Sequence, residues 1–273
     1  MAKAPTTAEI EVIALSTAAV VFHVVGTSPL IFNAMSAKAR ESLLLGGSKK
    51  TVAEKAGTIK HDPPAEYRAS VYREIHDKGP TRLMFPTTAF KKAIATAALD
   101  VPGAKKTEIG RLAWVAGYSV PVWGTPQIFM SVVRSADMNH TPDIRTRAIV
   151  PAWAASFKIH YVKPKLNVDT LQRLLVAAGL ICGIGDFRQE KGAGSFGQFR
   201  VCAADDAEYV EIVKAGGRKA QDAALVNPQP YDAETFEMLG WHTAAKEKRA
   251  DKLDAPALRA ARKNGGAEIG GHA

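Results

Sequence analysis

Cysteine is scarce in this chain, with two in 273 residues. Cys182 and Cys202 each sit among apolar neighbours, and neither belongs to a Cys-x-x-Cys pair. A disulfide framework is thereby excluded, and buried free thiols suit a reducing cytosol. Metal motifs are lacking too. The seven histidines, His23, His61, His76, His140, His160, His242 and His272, never fall at HExxH spacing and form no Cys/His zinc pattern. No metal and no cofactor are expected. Long apolar runs are also missing: Ile10 to Val25 is interrupted by Glu11, Ser16, Thr17 and His23, and it is shorter than the ~20 residues of a membrane span. The opening Met-Ala-Lys-Ala-Pro-Thr-Thr-Ala-Glu lacks the basic-then-apolar layout of a signal peptide. The expectation is a cytoplasmic protein with no membrane partner, and neither an internal repeat nor a long low-complexity segment stands out.

Acidic charge is in deficit. Lys and Arg number 36 against 27 Asp and Glu, a net charge of +9. Such an excess favours polyanionic partners and speaks to association, not to fold. Hydrophobic content of 47% and charged content of 23% are ordinary for a globular chain. This length can bury one large core, or one domain with a sizeable insertion.

What the chain does have is a glycine-rich stretch, Gly183-Ile-Gly-Asp-Phe-Arg-Gln-Glu-Lys-Gly-Ala-Gly-Ser-Phe-Gly-Gln-Phe-Arg200, with five glycines, three cations and three phenylalanines. Glycine lets a backbone turn tightly and approach a ligand. Cations and aromatic rings match the phosphates and base faces of a single strand. Apolar residues at 168, 171, 174, 175 and 178 predict a helix before it, and Gly197 to Cys202 alternates like a strand after it. Gly192 to Gly197 formally reads GxGxxG. The dinucleotide fingerprint, however, needs strand, glycines, then helix, and here the order is reversed. No Gly-Lys-Ser/Thr follows, so the Walker pattern fails as well. The competing reading of the stretch is a mobile hairpin with no ligand.

Ala18 to Val25 reads as a central strand, broken at Gly26-Thr-Ser-Pro29. Residues 34–80 read as an insertion: a helix stopped at Gly46-Gly47, a stretch carrying Lys49, Lys50, Lys55 and Lys60, then Asp62-Pro-Pro64 and an amphipathic piece from Tyr67 to Ile75. Residues 87–99 predict a helix capped by Thr87 or Thr88, with Phe90, Ile94, Ala97 and Ala98 on its buried face. Lys91 and Lys92 fall in its first turn, against the helix dipole. They read either as anion ligands or as surface charge. Strands are expected over 113–122, 127–133 and 148–162, with a polar connection from Asp137 to Arg147 that ends in Arg145 and Arg147. From about 204 the pattern becomes irregular, and residues 242–273 read as a basic, flexible tail. The domain organisation expected is one domain over 1–241 with an extension at about 34–80.

Catalytic candidates are few. His23 and His160 lie in strand-like runs and read as sheet residues. His61 beside Asp62, and His140 with Asp137 and Asp143, lie in polar loops, where a His near a carboxylate could serve as general base toward an RNA 2′-OH.

Phe85-Pro-Thr-Thr-Ala-Phe-Lys-Lys-Ala-Ile-Ala-Thr-Ala-Ala98 resembles the proline, small-polar, Lys-x-Ala helix start of the RAMP superfamily, and Gly183 to Gly197 is similar to its Gly-rich loop before a strand. Ser28 to Asn33 is compatible. The resemblance covers about 18–33, 81–99 and 148–202, with the 34–80 insertion where backbone subunits of CRISPR effector complexes carry an extension. It implies an α+β, ferredoxin-like (modified RRM-like) core with an antiparallel sheet, polymerising along RNA and working without catalysis, so that the expected partner is single-stranded RNA or DNA with RNA favoured. Carried over, Lys91, Lys92, Phe187, Arg188 and Lys191 contact the strand; Gly185, Gly194, Phe196, Arg145 and Arg147 complete the candidate interface. The alternatives are a metal-independent endoribonuclease working through His61, His140 or Asp143, and a structural protein–protein module.

Overall fold

The computed structural model describes residues 13–46, 59–74, 76, 78–134, 141–191 and 194–265. The fold is α+β, built on a curled antiparallel sheet of the ferredoxin-like kind. The chain divides into two compact units. One takes the stretch ending at Leu30, Arg73–Gly124 and Ala152–Lys219; the other takes Ile31–Tyr72, Thr125–Pro151 and the chain from Ala220.

The larger sheet among the described residues contains β1 (Ser16–Gly26), β3 (Tyr72–Arg73), β4 (Leu83–Pro86), β5 (Ala113–Val115), β6 (Ser119–Trp123), β9 (Ala154–Lys163) and β10 (Phe199–Cys202), in the order β10-β1-β9-β6-β4-β3, with β5 also paired to β9. β1 runs antiparallel to both β10 and β9, as the β-branched run from Val20 to Val25 suits a strand flanked on two sides. Successive residues point to opposite faces. On one face Phe157 meets Phe90 of α3 (Thr87–Ala97) at 4.4 Å between ring centroids, and Phe90 meets Phe199 at 6.1 Å. Phe90, Ile94, Ala97 and Ala98 are all buried, as the spacing predicts. Fully burying a side chain such as Phe90 contributes about 1.5–3 kcal/mol. α5 (Val168–Ala177) buries Leu171, Leu174 and Leu175, and starts at Asn167, whose side chain accepts from the Thr170 amide. α4 (Lys106–Leu112) precedes β5. The opposite face is partly covered by α6 (Ala207–Ala215), through Tyr209 and Ile212 against Val25 and Ala154.

The second unit holds β7 (Gln127–Arg134) and β8 (Pro142–Val150) in a three-stranded sheet ordered β2-β8-β7, with β2 at Leu30–Ile31. Its helices are α1 (Ala37–Leu45), capped by Ser36; α2 (Pro63–Ala69), capped by Asp62; and α8 (Ala233–Gly265), whose buried Thr235 accepts from the Met130 amide. Between α6 and α8 runs α7 (Arg218–Val226).

Four expectations change. The region from 204 is helical: Asp206 accepts from the Tyr209 amide to start α6, and strong helix formers such as Ala, Glu and Lys carry the rest. The strand expected over 148–162 is divided at residues 151–153 into the end of β8 and β9. The strand expected over 113–122 is interrupted by a turn at Gly117 (φ 79°). The polar connection becomes strand from Pro142, because Asp143, Arg145 and Arg147 alternate with Ile144, Thr146 and Ala148, the pattern of a strand with one polar face.

Candidate nucleic-acid interface

The glycine-rich stretch is a built hairpin. α5 runs into a π-helical turn, Ala178–Cys182. The chain then folds back so that the Ile184 amide donates to the Gly197 carbonyl (2.9 Å), the Phe196 amide to Phe187 (3.3 Å), and the Gly197 amide to Pro29 (2.8 Å). Gly197 has φ 72°, and a Cβ there would stand 1.7 Å from the Ile184 carbonyl oxygen; one at Gly194 would stand 1.9 Å from that of Phe187. These glycines are required by backbone meeting backbone. Phe187 is the residue with positive φ, 49°, that is not glycine among the described residues. Left-handed backbone at a bulky residue persists only where its surroundings impose it.

Arg188 is spent on that structure. Its Nε donates to Glu190 (2.8 Å) and its Nη1 to the Gly185 carbonyl (3.1 Å). Burial would raise the Glu190 carboxyl, but the Arg188 hydrogen bond and charge, with Lys191 and Lys106 adding to the field, hold it below its ordinary value. Lys191 is exposed at the end of the short 3-10 turn Gln189–Lys191. Phe187 and Phe196 are half-buried, and Gly185 is buried. Lys106, on the α4 end near this loop, was not singled out by sequence reasoning; its only signal is a cation in the first turn of a helix.

Lys91 and Lys92 do not belong to the loop's hydrogen-bonded frame. Lys91 is half-buried, lining with Ile94, Ile109, Ala113, Trp114, Val115 and Ile159 a void with no room for water; Lys92 is exposed. The expected cap is absent. Pro86 holds the N-cap position, and the buried Thr87 hydroxyl donates to the Gly117 carbonyl (3.0 Å). The turn at Gly117 brings those carbonyls within reach of Thr87, so they take the hydroxyl that the helix would otherwise use.

Arg145 and Arg147 fall in the other unit, together with two catalytic candidates. There His61 Nδ1 lies 2.9 Å from Glu66 Oε1 and Nε2 lies 3.0 Å from Asp143 Oδ1, while Lys60 also bonds Asp143. The Lys60 hydrogen bond is the main reason the Asp143 carboxyl stands below its ordinary value; slight burial opposes it and His61 adds to it. His61, Glu66 and Asp143, with Asn33, Ser36, Arg145 and Arg147, line a cavity of about 570 Å³. Arg145 is exposed and Arg147 half-buried. With a carboxylate on each ring nitrogen, His61 has no nitrogen left facing a substrate, so the geometry does not make it a general base. His140 lies outside the described residues.

No family model matches this chain, and no curated protein matches it. Among solved structures it is similar to a chain in the cryo-EM structure of the Type III-B Cmr-beta bound to cognate target RNA, at 12% identity and a TM-score of 0.32, over 67% of this chain. The similarity spans 59% of that chain's length. Among the described residues, no helix is long and apolar enough to cross a membrane.

Proposed function

We propose that this chain is a RAMP-like, non-enzymatic subunit that binds single-stranded nucleic acid, with RNA favoured, and oligomerises along the strand in the cytoplasm. The observation that carries the reading is the hairpin 183–197. Phe187 is held at positive φ by close backbone contacts, and the exposed cation Lys191 follows it in the same loop. A loop needed only as a connection has no reason to hold a strained aromatic residue in place. Phosphates neutralise Lys191 and Lys92, and the Phe187 and Phe196 rings offer apolar surface to bases. The RAMP-like motifs at 85–98 and 183–197 support the same reading, as does the charge of +9. One RRM-like domain over 1–241 carrying an extension at about 34–80 belongs to this proposal. No cofactor is required.

The first test is the absorbance ratio of the purified protein at 260 and 280 nm, followed by RNase or DNase digestion. Co-purifying nucleic acid whose removal collapses the particle size supports the polymerising binder and identifies its ligand. A clean monomer that ignores added single strands overturns it and favours a protein-contact role for the hairpin. The endoribonuclease reading loses His61 as its base when both His61 nitrogens are occupied, and it then rests on His140 or Asp143. Intact RNA after long incubation removes it altogether.

A further inference from the structure

Along β9, Phe157, Ile159 and Tyr161 are buried, while the alternating Ser156, Lys158 and His160 point to the other face. Register puts Val21 opposite Lys158 and Ala19 opposite His160 on one flank, and Trp114 of β5 opposite His160 on the other. Directly paired residues share a face. The coverage by α6 ends short of this region, with Tyr209 reaching His23 (5.0 Å between rings) and Trp123 (6.5 Å). What remains is bare. Val21 is 49% exposed and Trp114 36%, and Ala19 and Lys158 are exposed as well.

Within this bare region the Trp114 and His160 rings lie stacked, 5.5 Å apart and 9° from parallel. A tryptophan fixed flat in this way loses little freedom when a further ring is laid on it. Lys158, one position along the same face, makes no ion pair among the described residues. We propose that this sheet face is a stacking platform for bases of a single-stranded nucleic acid: Trp114, steadied by His160, takes a base, and Lys158 takes a neighbouring phosphate. The proposal rests on the nucleic-acid reading above and locates a second contact area, separate from the hairpin. Charge selects the occupant. An apolar protein surface laid here would bury the Lys158 ammonium without a partner, which is costly, whereas a phosphodiester neutralises it.

The test compares the full chain and its variants on two labelled probes of equal length: oligouridylate, and a sugar–phosphate oligomer lacking bases. Affinities are read by fluorescence anisotropy. Trp114→Ala is expected to weaken oligouridylate binding roughly 10-fold or more, leaving the base-free oligomer unchanged. Trp114→Phe should retain most of the affinity. Lys158→Ala should weaken both probes and flatten the salt dependence by about 0.7. Trp241→Ala, an exposed tryptophan on α8, should change neither. If Trp114→Ala misfolds by circular dichroism, the phenylalanine and Lys158 variants carry the test, the former by keeping oligouridylate affinity and the latter by losing it on both probes. Wild-type affinity for oligouridylate in folded Trp114→Ala overturns the platform and leaves the nucleic-acid reading standing. Failure of the wild-type chain to bind either probe overturns both. A variant that alters self-association in sizing runs without altering probe binding assigns the face to protein and overturns the platform.

Discussion

Residues 183–191 and 194–197 hold their shape largely through backbone, with amides of Ile184, Phe196 and Gly197 each donating to a carbonyl and Gly194 and Gly197 placed where no side chain fits. Residues 60–66 are held to β8 through polar side chains, by Lys60 and His61 on Asp143, with Glu66 on the other ring nitrogen of His61. Backbone hydrogen bonds neither titrate nor screen, whereas partly exposed ion pairs do both. The hairpin should therefore keep its backbone geometry across salt and pH, with the Arg188–Glu190 pair as the contact within it that titrates and screens. The cavity lined by Arg145 and His61 should change shape with conditions. A single strand, whose binding is itself salt-dependent, is better served by a rigid frame carrying free charges than by charges already committed to the frame.

The sharpest way to break this contrast is to put a methyl group into the hairpin. Gly197→Ala would need a positive φ and would drive its Cβ into the Ile184 carbonyl. We expect a loss of about 3 kcal/mol or more, combining left-handed strain with a backbone shift. Gly46 also has a positive φ, 75°, but nothing lies within 4 Å of its Cβ position, so Gly46→Ala should cost only about 1 kcal/mol. Urea unfolding of both variants checks the difference; equal midpoints would mean that the close approach at Gly197 relaxes without cost.

Removing cations separates frame from contact. Replacing the exposed Lys92 and Lys191 together by alanine should lower single-strand affinity about fivefold or more at low salt and reduce the salt slope by roughly 1.4, at about 0.7 per phosphate. Thermal stability should barely move. Arg188→Ala should behave in the opposite way. It leaves Glu190 without its partner and the Gly185 carbonyl without its donor, so stability falls by about 1–3 kcal/mol. Should Arg188→Ala weaken binding with no change in melting, Arg188 would be a contact after all.

How much of this was legible beforehand differs between the two regions. Helix, glycine loop and strand follow from periodicity and from glycine's special backbone, and the structure has them in that order. That the glycines answer to carbonyls across the hairpin was not legible, since such approaches depend on which distant segments meet. The segment bearing Arg145 and Arg147 was misread because Asp143, Arg145 and Arg147 on one face of β8, the middle strand of its sheet, look like a loop when Ile144, Thr146 and Ala148 on the other face are not counted with them. The union of His61 with Asp143 joins residues far apart in sequence, and no local pattern encodes it. The misplaced cap at Thr87 has the same origin: the Gly117 carbonyl that takes its hydroxyl arrives from another hairpin.

The smallest effect expected belongs to the charged region. Asp143 is held below its ordinary value in the folded chain by Lys60 and then His61, while in the unfolded chain it titrates near 3.9. Above that pH both states are ionised and the pairing contributes in full. As pH falls, the unfolded chain takes up the proton first, so the contribution shrinks and is lost once the folded carboxyl is protonated. The side chain is 41% exposed, which keeps the contribution within about 1 kcal/mol. Asp206 also titrates in acid, its carboxyl drawn down to about 2 by the Arg200 hydrogen bond and the Tyr209 amide, so wild-type unfolding alone cannot isolate Asp143. The difference between wild type and Asp143→Asn can. It should decline below pH 4 and shrink with added salt, whereas the same difference measured for Gly197→Ala should stay flat there. A flat Asp143→Asn profile would show that the Lys60 and His61 contacts contribute nothing to folding, and the two regions would then no longer differ in how they respond to acid.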